Sequence, residues 1–395
     1  MSYIERAKNS IMNTYKRNEV ILVKGKGSYV FDERGNKYLD FTGGIAVCSL
    51  GHCPEEVVEA VETQVKKLIH TSNLYFTIPQ IELAERLVNL SGGNVKVFFC
   101  NSGAEANEGA IKLARKYHRK KGKDRYEIIT FFNSFHGRTY GSLSATGQTK
   151  FHKDFEPMLP GFRYAQLNNI DSVKSLLNAN TAAIMLELIQ GEGGINVCNQ
   201  NFINELKNIC DQNDILLIFD EIQTGVGRTG KFFCFDHYGI KPHIWTLAKG
   251  IAGGLPMGAI IALNEVADVL EPGTHATTFG GGPVICSAAC RVVDRVSEEK
   301  FLEDVREKGI YIENRLKNMK DKYPLGEVRG IGLLRGVELK MDEPSKVVEL
   351  GLKNGLLLNI TAGNILRLLP PLNIKKDEID EFFEKISLTF EEVIK

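Results

Sequence analysis

Residues 215–232 read ILLIFDEIQTGVGRTGKF: an apolar run that ends on Asp220 and continues into Gly225-x-Gly227-x-x-Gly230. By pattern alone the glycines are a dinucleotide-binding turn, but their surroundings do not fit one. Four residues separate Asp220 from the first glycine, and the aromatic KFFCFDHYG follows the last where a helix should open. About twenty residues further on, where an acid is required, stands Lys249. A nicotinamide cofactor is therefore disfavoured. What remains is a carboxylate at a strand end and a lysine embedded in apolar residues. A second stretch, Cys100-Asn-Ser-Gly-Ala-Glu-Ala-Asn107, joins a buried strand to an amphipathic helix through Ser102-x-x-Glu105, the spacing of a capping box. A helix N-terminus presents free N–H groups and a positive dipole end, and Gly103 and Ala104 have no bulk to block a phosphate.

A phosphate seat, an acid at a strand end and a lysine in an apolar setting have one chemical tenant in common. Pyridoxal phosphate needs a phosphate cradle, a Schiff-base lysine and a carboxylate on its pyridinium nitrogen. Asp220 would keep that nitrogen protonated, so that the ring can accept electrons. Lys249 needs desolvation to stay a nucleophilic amine near neutral pH, and Trp245-Thr-Leu-Ala-Lys-Gly-Ile-Ala supplies apolar neighbours. Taken singly, Lys249 reads as a surface lysine and Asp220 as a helix cap; the combination favours the cofactor. No metal is expected. The pairs Cys286-SAA-Cys290 and Cys48-SLGH-Cys53 miss zinc-ligand spacing, and no HExxH occurs. His136 and His52 lack metal-ligand company and read as structural, and His275 as loop-shaping.

These groups must be held by regular elements. Helical periodicity predicts helices over 54–69, 78–90, 104–120, 202–212, 301–319 and 378–394. Short apolar runs predict buried strands over 96–100, 127–131, 182–188, 215–219 and 259–263. Their alternation predicts an α/β fold with a mainly parallel sheet covered by helices, whose ligand sites gather at the carboxyl ends of the strands. Beyond about residue 290, long charged helices flank VRGIGLLRGVEL, which reads as a hairpin in a smaller α+β domain. KGSYVFDERGNKYLDF reads as another hairpin, turning at 33–36. The expected division is an N-terminal segment 1–50 packing with the small domain, a large cofactor-binding domain 51–290, and a small C-terminal domain 291–395.

Composition narrows the class. A chain of 395 residues with 43% hydrophobic and 25% charged residues suits a globular protein of more than one small core. With 49 basic and 49 acidic residues, no global field favours nucleic acid or an anionic membrane, and neither is expected as a partner. The basic run over 112–125 reads as a solvated helix end, where cations complement the dipole. The start, MSYIERAKNSIMNTYKR, has no signal-like apolar core, and eight scattered cysteines suit a reduced, cytoplasmic setting.

The motifs NSGAEANE, SFHGRT, QGEGGI, FDEIQTGVGRTG, LAKGIAGGLPMGA and THATTFGGGP follow one another in the order and spacing of the class III pyridoxal-phosphate aminotransferases. The chain resembles that class nearly end to end, and within it the acetylornithine group. The resemblance implies a fold-type I transferase, cytoplasmic and homodimeric, with active sites at the subunit interface. It would move the δ-amino group of N2-acetyl-L-ornithine to 2-oxoglutarate, in arginine biosynthesis. Lys249 would carry the cofactor and shuttle the proton. Asp220 would pair with the ring nitrogen, and Gln223 would reach the ring hydroxyl. Gly103 and Ala104 would bind the phosphate through their amides, and Thr278 would add a hydroxyl from the neighbouring subunit. Phe135 would stack on the ring. Arg138, in SFHGR, resembles the arginine that holds the α-carboxylate of acetylornithine, and Arg367, in LRLLPPL, the one that grips 2-oxoglutarate. Glu192, in QGEGG, would mask Arg367 while the ornithine-type donor is bound.

The sequence departs from its class at several positions. Relatives usually show HGSTFGGNP, whereas this chain has HATTFGGGP, so Thr277 replaces a serine thought to touch the acyl substrate and Gly282 replaces an asparagine. Leu188 replaces a proline, and Cys48 takes a pocket-side position often held by asparagine. Thr277 and Cys48 stand where they can reshape acyl recognition. Ornithine, succinylornithine, N-succinyl-diaminopimelate and 4-aminobutyrate are the alternative donors, and an aminomutase is a second rival within the fold. A catalytically silent binding protein on the same scaffold is the alternative of a different class.

Overall fold

A computed structural model describes residues 2–394. At its centre lies a seven-stranded sheet in the order Val95–Cys100, Gly258–Leu263, Ile244–Leu247, Leu216–Asp220, Thr181–Leu186, Glu127–Phe131, Phe162–Ala165. Gly258–Leu263 runs antiparallel to both its neighbours, and the remaining pairs are parallel. The inner strands are buried along their whole length, as an apolar run covered on both faces must be. Ile244–Leu247 and Phe162–Ala165 were not anticipated. The first is four residues long and runs straight into the lysine turn, and the second is an edge strand with only Ala165 buried.

Helix Gly103–Lys120 packs on this sheet through Ala106, Ala110, Leu113, Ala114 and Tyr117, all buried, the stripe its 3.6-residue periodicity implies. Burying a side chain the size of Leu113 contributes roughly 2 kcal/mol. The small residues let the helix come close: a Cβ on Gly109 would stand 2.1 Å from Cδ1 of Ile260. The basic residues at the helix end form surface ion pairs with acids, Arg119 with Asp124 and Lys120 with Glu271. Ser102 caps the helix, accepting from the Glu105 N–H at 3.2 Å. The expected capping box is only half formed. The Glu105 carboxylate passes over Ser102 and accepts from the N–H of Asn101 at 2.7 Å and its side-chain amide at 2.9 Å. The chain bends sharply between strand and helix, which puts Asn101 within reach.

Two four-stranded sheets and a two-stranded ribbon, Ile189–Gln190 with Asn196–Val197, lie outside the main one. The hairpin Tyr29–Asp32 with Lys37–Asp40 is extended by Leu22–Lys26 on one side and by Leu356–Leu357, from far along the chain, on the other. The hairpin Leu325–Ile331 with Leu334–Leu339 continues through Ile365–Leu368 to Asn359–Thr361. The expected division at 290/291 falls inside a continuous helix, Pro283–Val296. Cys286, Ala289, Cys290, Val293 and Val296 bury one face of it across that point, and Pro283 suits its first position. Among the described residues no helix is long and apolar enough to cross a membrane.

Candidate active site

Five parallel strands deliver their following residues to one side of the main sheet, around a cavity of about 440 Å³. Val95–Cys100 leads to Ser102, Gly103 and Ala104, and Glu127–Phe131 to Phe135, His136 and Arg138. Thr181–Leu186 leads to Glu187 and Glu192, Leu216–Asp220 to Asp220 and Gln223, and Ile244–Leu247 to Lys249; all of these residues line the cavity. That is where a doubly covered parallel sheet places its ligands.

Asp220 ends its strand with its side chain toward the cavity, and Glu221 points the opposite way, as alternation along a strand dictates. Glu221 accepts from the N–H groups of Cys234 and Phe235 at 2.8 and 2.7 Å; burial pushes its pKa up to about 8 against those bonds. Asp220 is 4% exposed. Its Oδ2 accepts from His136 Nδ1 at 2.7 Å and from Asn107 Nδ2 at 2.8 Å, and its Oδ1 from the Ile222 N–H at 3.0 Å. Asn107 also donates to the His136 carbonyl at 2.7 Å and accepts from the Thr246 hydroxyl at 2.9 Å. Burial disfavours the charged form of His136, but the bond to Asp220 and that carboxylate's charge outweigh it and raise its pKa. His136 thus bears directly on the acid. It orients the acid, and its Nε2, buried at the cavity, has no hydrogen-bond partner among the described residues.

Lys249 begins a short turn, Lys249–Ala252, with φ of +44°. A non-glycine residue is held in that region only where its surroundings over-determine it. Its ammonium makes no hydrogen bond among the described residues. Desolvation, then the charge of Arg367, lowers its pKa, with Glu192, Asp220 and Glu187 opposing. The lysine is accordingly biased toward the neutral amine.

Arg367 lies in Ile365–Leu368 of the smaller sheet and is 1% exposed. Asn359 Oδ1 accepts from its Nε and Nη2 at 3.1 and 2.7 Å, and the Gly191 carbonyl from its Nη1 at 3.1 Å. Glu192 closes on the same Nη1 at 2.5 Å, and Gln223 Oε1 stands 3.4 Å away. Arg138 is exposed and has no acid partner among the described residues. Its guanidinium lies 3.9 Å from the Phe151 ring centroid and 5.3 Å from that of Phe135, and its N–H groups meet no acceptor among the described residues.

Glu187 was not foreseen, although a glutamate inside the apolar run AAIMLELI is itself a signal. It accepts from the Phe135 N–H at 2.9 Å and the Gly191 N–H at 3.3 Å, tying together the loops that carry Phe135 and Glu192. Burial pushes its pKa up to about 7, with His136 opposing and Asp220 adding. Asn107 carried a similar signal, as a polar residue on the buried face of its helix.

Three expected residues are not on the cavity wall, and the first, Arg367, lies behind Glu192 and Gln223, which are. Thr278 lines a separate small cleft beside His70, Asn73 and Gln80. Thr277 turns its hydroxyl to the side chain of Asn101 at 3.2 Å, where it also accepts from the Gly280 N–H. Cys48 is also not at the cavity wall; its neighbour Val47 is, and the thiol lies 3.9 Å from His52 Nδ1.

These residues fit pyridoxal phosphate. The N–H groups of Gly103 and Ala104, in the first turn, have no acceptor within the helix. A Cβ on Gly103 would meet the Ile222 side chain at 2.8 Å, so the cradle requires glycine there. An amine, a carboxylate anchored by three donors and an aromatic ring face the same space. Among the described residues no cluster could hold a metal ion.

The chain matches the family model of class-III aminotransferases over residues 11–390. It is 53% identical to an acetylornithine aminotransferase of Aquifex aeolicus, covering 94% of this chain and 96% of the relative. It is 47% identical to one of Methanocaldococcus jannaschii, covering 100% and 99%. Among solved structures it is similar to the N-acetylornithine aminotransferase of Stenotrophomonas maltophilia, with TM-score 0.86, 33% identity and 99% of both chains covered. It is also similar to the ornithine aminotransferase of Toxoplasma gondii in a structure with partial occupancy of pyridoxal phosphate, with TM-score 0.94, 32% identity, and 99% and 94% covered.

Proposed function

The chain belongs to the class-III aminotransferases, and on that premise we propose that it transfers the δ-amino group of N2-acetyl-L-ornithine to 2-oxoglutarate, giving N-acetyl-L-glutamate 5-semialdehyde and L-glutamate. One observation carries the reading. A desolvated lysine, an anchored carboxylate, a helix N-terminus and a glutamate face a single cavity, and the glutamate is paired with an arginine buried directly behind the wall.

Bound pyridoxal phosphate supplies an aldehyde that exchanges amines and a cationic ring that takes up the electron pair of a broken C–H bond. Lys249 would hold it through the ε-amine and then take the proton from the substrate's δ-carbon, for which a neutral amine is required. Asp220, kept in place by His136 and Asn107, would hold the proton on the ring nitrogen. Gln223 would reach the ring hydroxyl, Phe135 would cover the ring face, and the Gly103 and Ala104 N–H groups would take the phosphate.

The two substrates share one pocket. Arg138, whose N–H groups meet no acceptor among the described residues, would hold the α-carboxylate of acetylornithine while Glu192 masks Arg367. When 2-oxoglutarate enters, Glu192 swings off and Arg367 takes the carboxylate through its planar fork.

The working unit would be a homodimer. Thr278 lies outside the cavity of its own chain, in a cleft it shares with the exposed Tyr75 and next in sequence to the exposed Phe279. Exposed aromatic side chains beside a residue that its own cavity does not use favour a second copy that brings Thr278 to its neighbour's phosphate seat. Eight unpaired cysteines support a reducing, cytoplasmic setting.

The deciding experiment is a panel of amino donors tested with 2-oxoglutarate on the purified holoenzyme. Acetylornithine should give the highest kcat/KM, and equal or better use of free ornithine would overturn the assignment.

A further inference from the structure

The strand that carries Arg367 pairs antiparallel with Leu334–Leu339, Gly336 opposite Arg367 and Arg335 opposite Leu368. At this end of the ladder the chain enters one strand from Leu333 and leaves the other through Leu369 and Pro370. One guanidinium closes the end. Arg228, 1% exposed, donates from Nη1 to the Leu333 carbonyl at 3.1 Å and to the Pro370 carbonyl at 2.6 Å. Its own carbonyl accepts from the Leu333 N–H at 3.0 Å.

Arg228 belongs to the turn after Asp220 that also carries Gln223, the residue nearest Arg367 from that side. On the opposite side the same segment is pinned by Leu369 N–H to the Phe41 carbonyl at 2.7 Å and by Leu372 N–H to the Ser49 carbonyl at 2.8 Å. No acid pairs with Arg228 among the described residues, and its Nε and Nη2 have no partner. Burial pushes its pKa down to about 9. A buried cation without a counter-ion is costly. Two converging carbonyls explain why a long donor is needed there, since an apolar side chain would leave both orphaned.

We propose that Arg228 is a positioning residue for the 2-oxoglutarate half-reaction: it clamps both strand ends of the Arg367 ladder to the Gln223 turn and so sets the Arg367 guanidinium against the incoming carboxylate. The proposal rests on the reading of Arg367 given above. Bidentate recognition of a carboxylate tolerates little displacement, and a shift of about 1 Å made far from the reacting atoms is enough to slow a reaction greatly. The amine half-reaction is spared, because Arg138 comes from the loop after Glu127–Phe131, which Arg228 does not touch.

The test uses Arg228→Lys and Arg228→Gln holoenzymes beside Arg367→Lys. Each half-reaction is followed by itself, with acetylornithine alone or with 2-oxoglutarate alone added to the amino-loaded enzyme, and thermal unfolding is recorded in parallel. For the Arg228 variants the concentration of 2-oxoglutarate giving half-maximal rate should rise about tenfold or more, while that of acetylornithine stays within about twofold. Equal rises in both constants, no rise in either, or failure of both variants to yield folded holoenzyme would overturn the clamp. A selective loss in Arg367→Lys without one in the Arg228 variants rejects the clamp alone. No selective loss in Arg367→Lys rejects the reading beneath it.

Discussion

The Glu192 carboxylate and the Arg367 guanidinium meet at 2.5 Å, yet their burial is unequal: the arginine side chain is 1% exposed and the glutamate 29%. The arginine is also held by Asn359 and the Gly191 carbonyl. The masking role proposed above would therefore have the pair open by movement of the acid, the partner with a path to solvent. In Glu192→Gln the bulk stays and the charge goes, so Arg367 is left to attract carboxylates at all times. The ratio of kcat/KM for glutamate to that for acetylornithine as donor should rise about tenfold. An unchanged ratio would show that Glu192 is no mask.

Lys249→Ala should abolish transamination and remove the absorbance band expected at roughly 400–430 nm from the lysine-bound cofactor. The spectrum of the purified variant checks this. A band that survives would mean that another amine holds the cofactor.

Asn107 supplies one of the donors that fix Asp220. Asn107→Leu removes that donor and also orphans the His136 carbonyl, at a cost of about 1–3 kcal/mol for a buried group. The melting temperature should fall by several degrees and kcat with it. A variant that melts like the parent would show that His136 and the Ile222 N–H suffice.

His52 Nε2 lies 2.9 Å from the buried Asp40 carboxylate. That bond first, and the Cys48 thiol second, push the pKa of His52 up to about 10, against its burial. A pKa raised on folding gives stability that is complete below the unfolded value of about 6.5 and is lost as pH climbs through about 10. The difference in melting temperature between the parent and His52→Gln should therefore be largest near pH 6 and shrink toward pH 10. A difference that does not vary with pH would show that the imidazole is neutral when folded.

If Thr278 serves a neighbour, two dead chains should rescue each other. Lys249→Ala has no lysine, and Thr278→Asp sets a carboxylate against the phosphate. In a mixed dimer, the site holding the intact Lys249 receives the intact Thr278 of the other chain. Co-expression should restore activity that neither variant shows alone. No recovery, in dimers verified by light scattering, would place Thr278 outside the site.

Much of this architecture is legible along the chain because it is local. Helix Ile78–Leu90 follows its periodicity residue for residue, the Ser102 cap follows from small polar residues before an apolar stripe, and Asp220 ends a buried run. Less legible were elements whose length depends on what they pack against. Phe162–Ala165 exists as a strand because Glu127–Phe131 offers it a parallel edge. Helix Pro283–Val296 follows a glycine-rich loop that masks its start.

The amino-acid sequence by itself determined the fold class and which groups could do chemistry: a lysine amid apolar residues, an acid at a strand end, small residues at a helix start, and two arginines. Only the tertiary structure decided what those groups experience. Asn107 reaches Asp220 across 113 residues and Arg228 reaches Pro370 across 142. It likewise joined Glu187 to two loops and left Thr278 on an exposed face rather than at the cavity. The reason is physical: backbone preference acts over a few residues, whereas the charge state and reach of a buried side chain depend on desolvation and on distances through space.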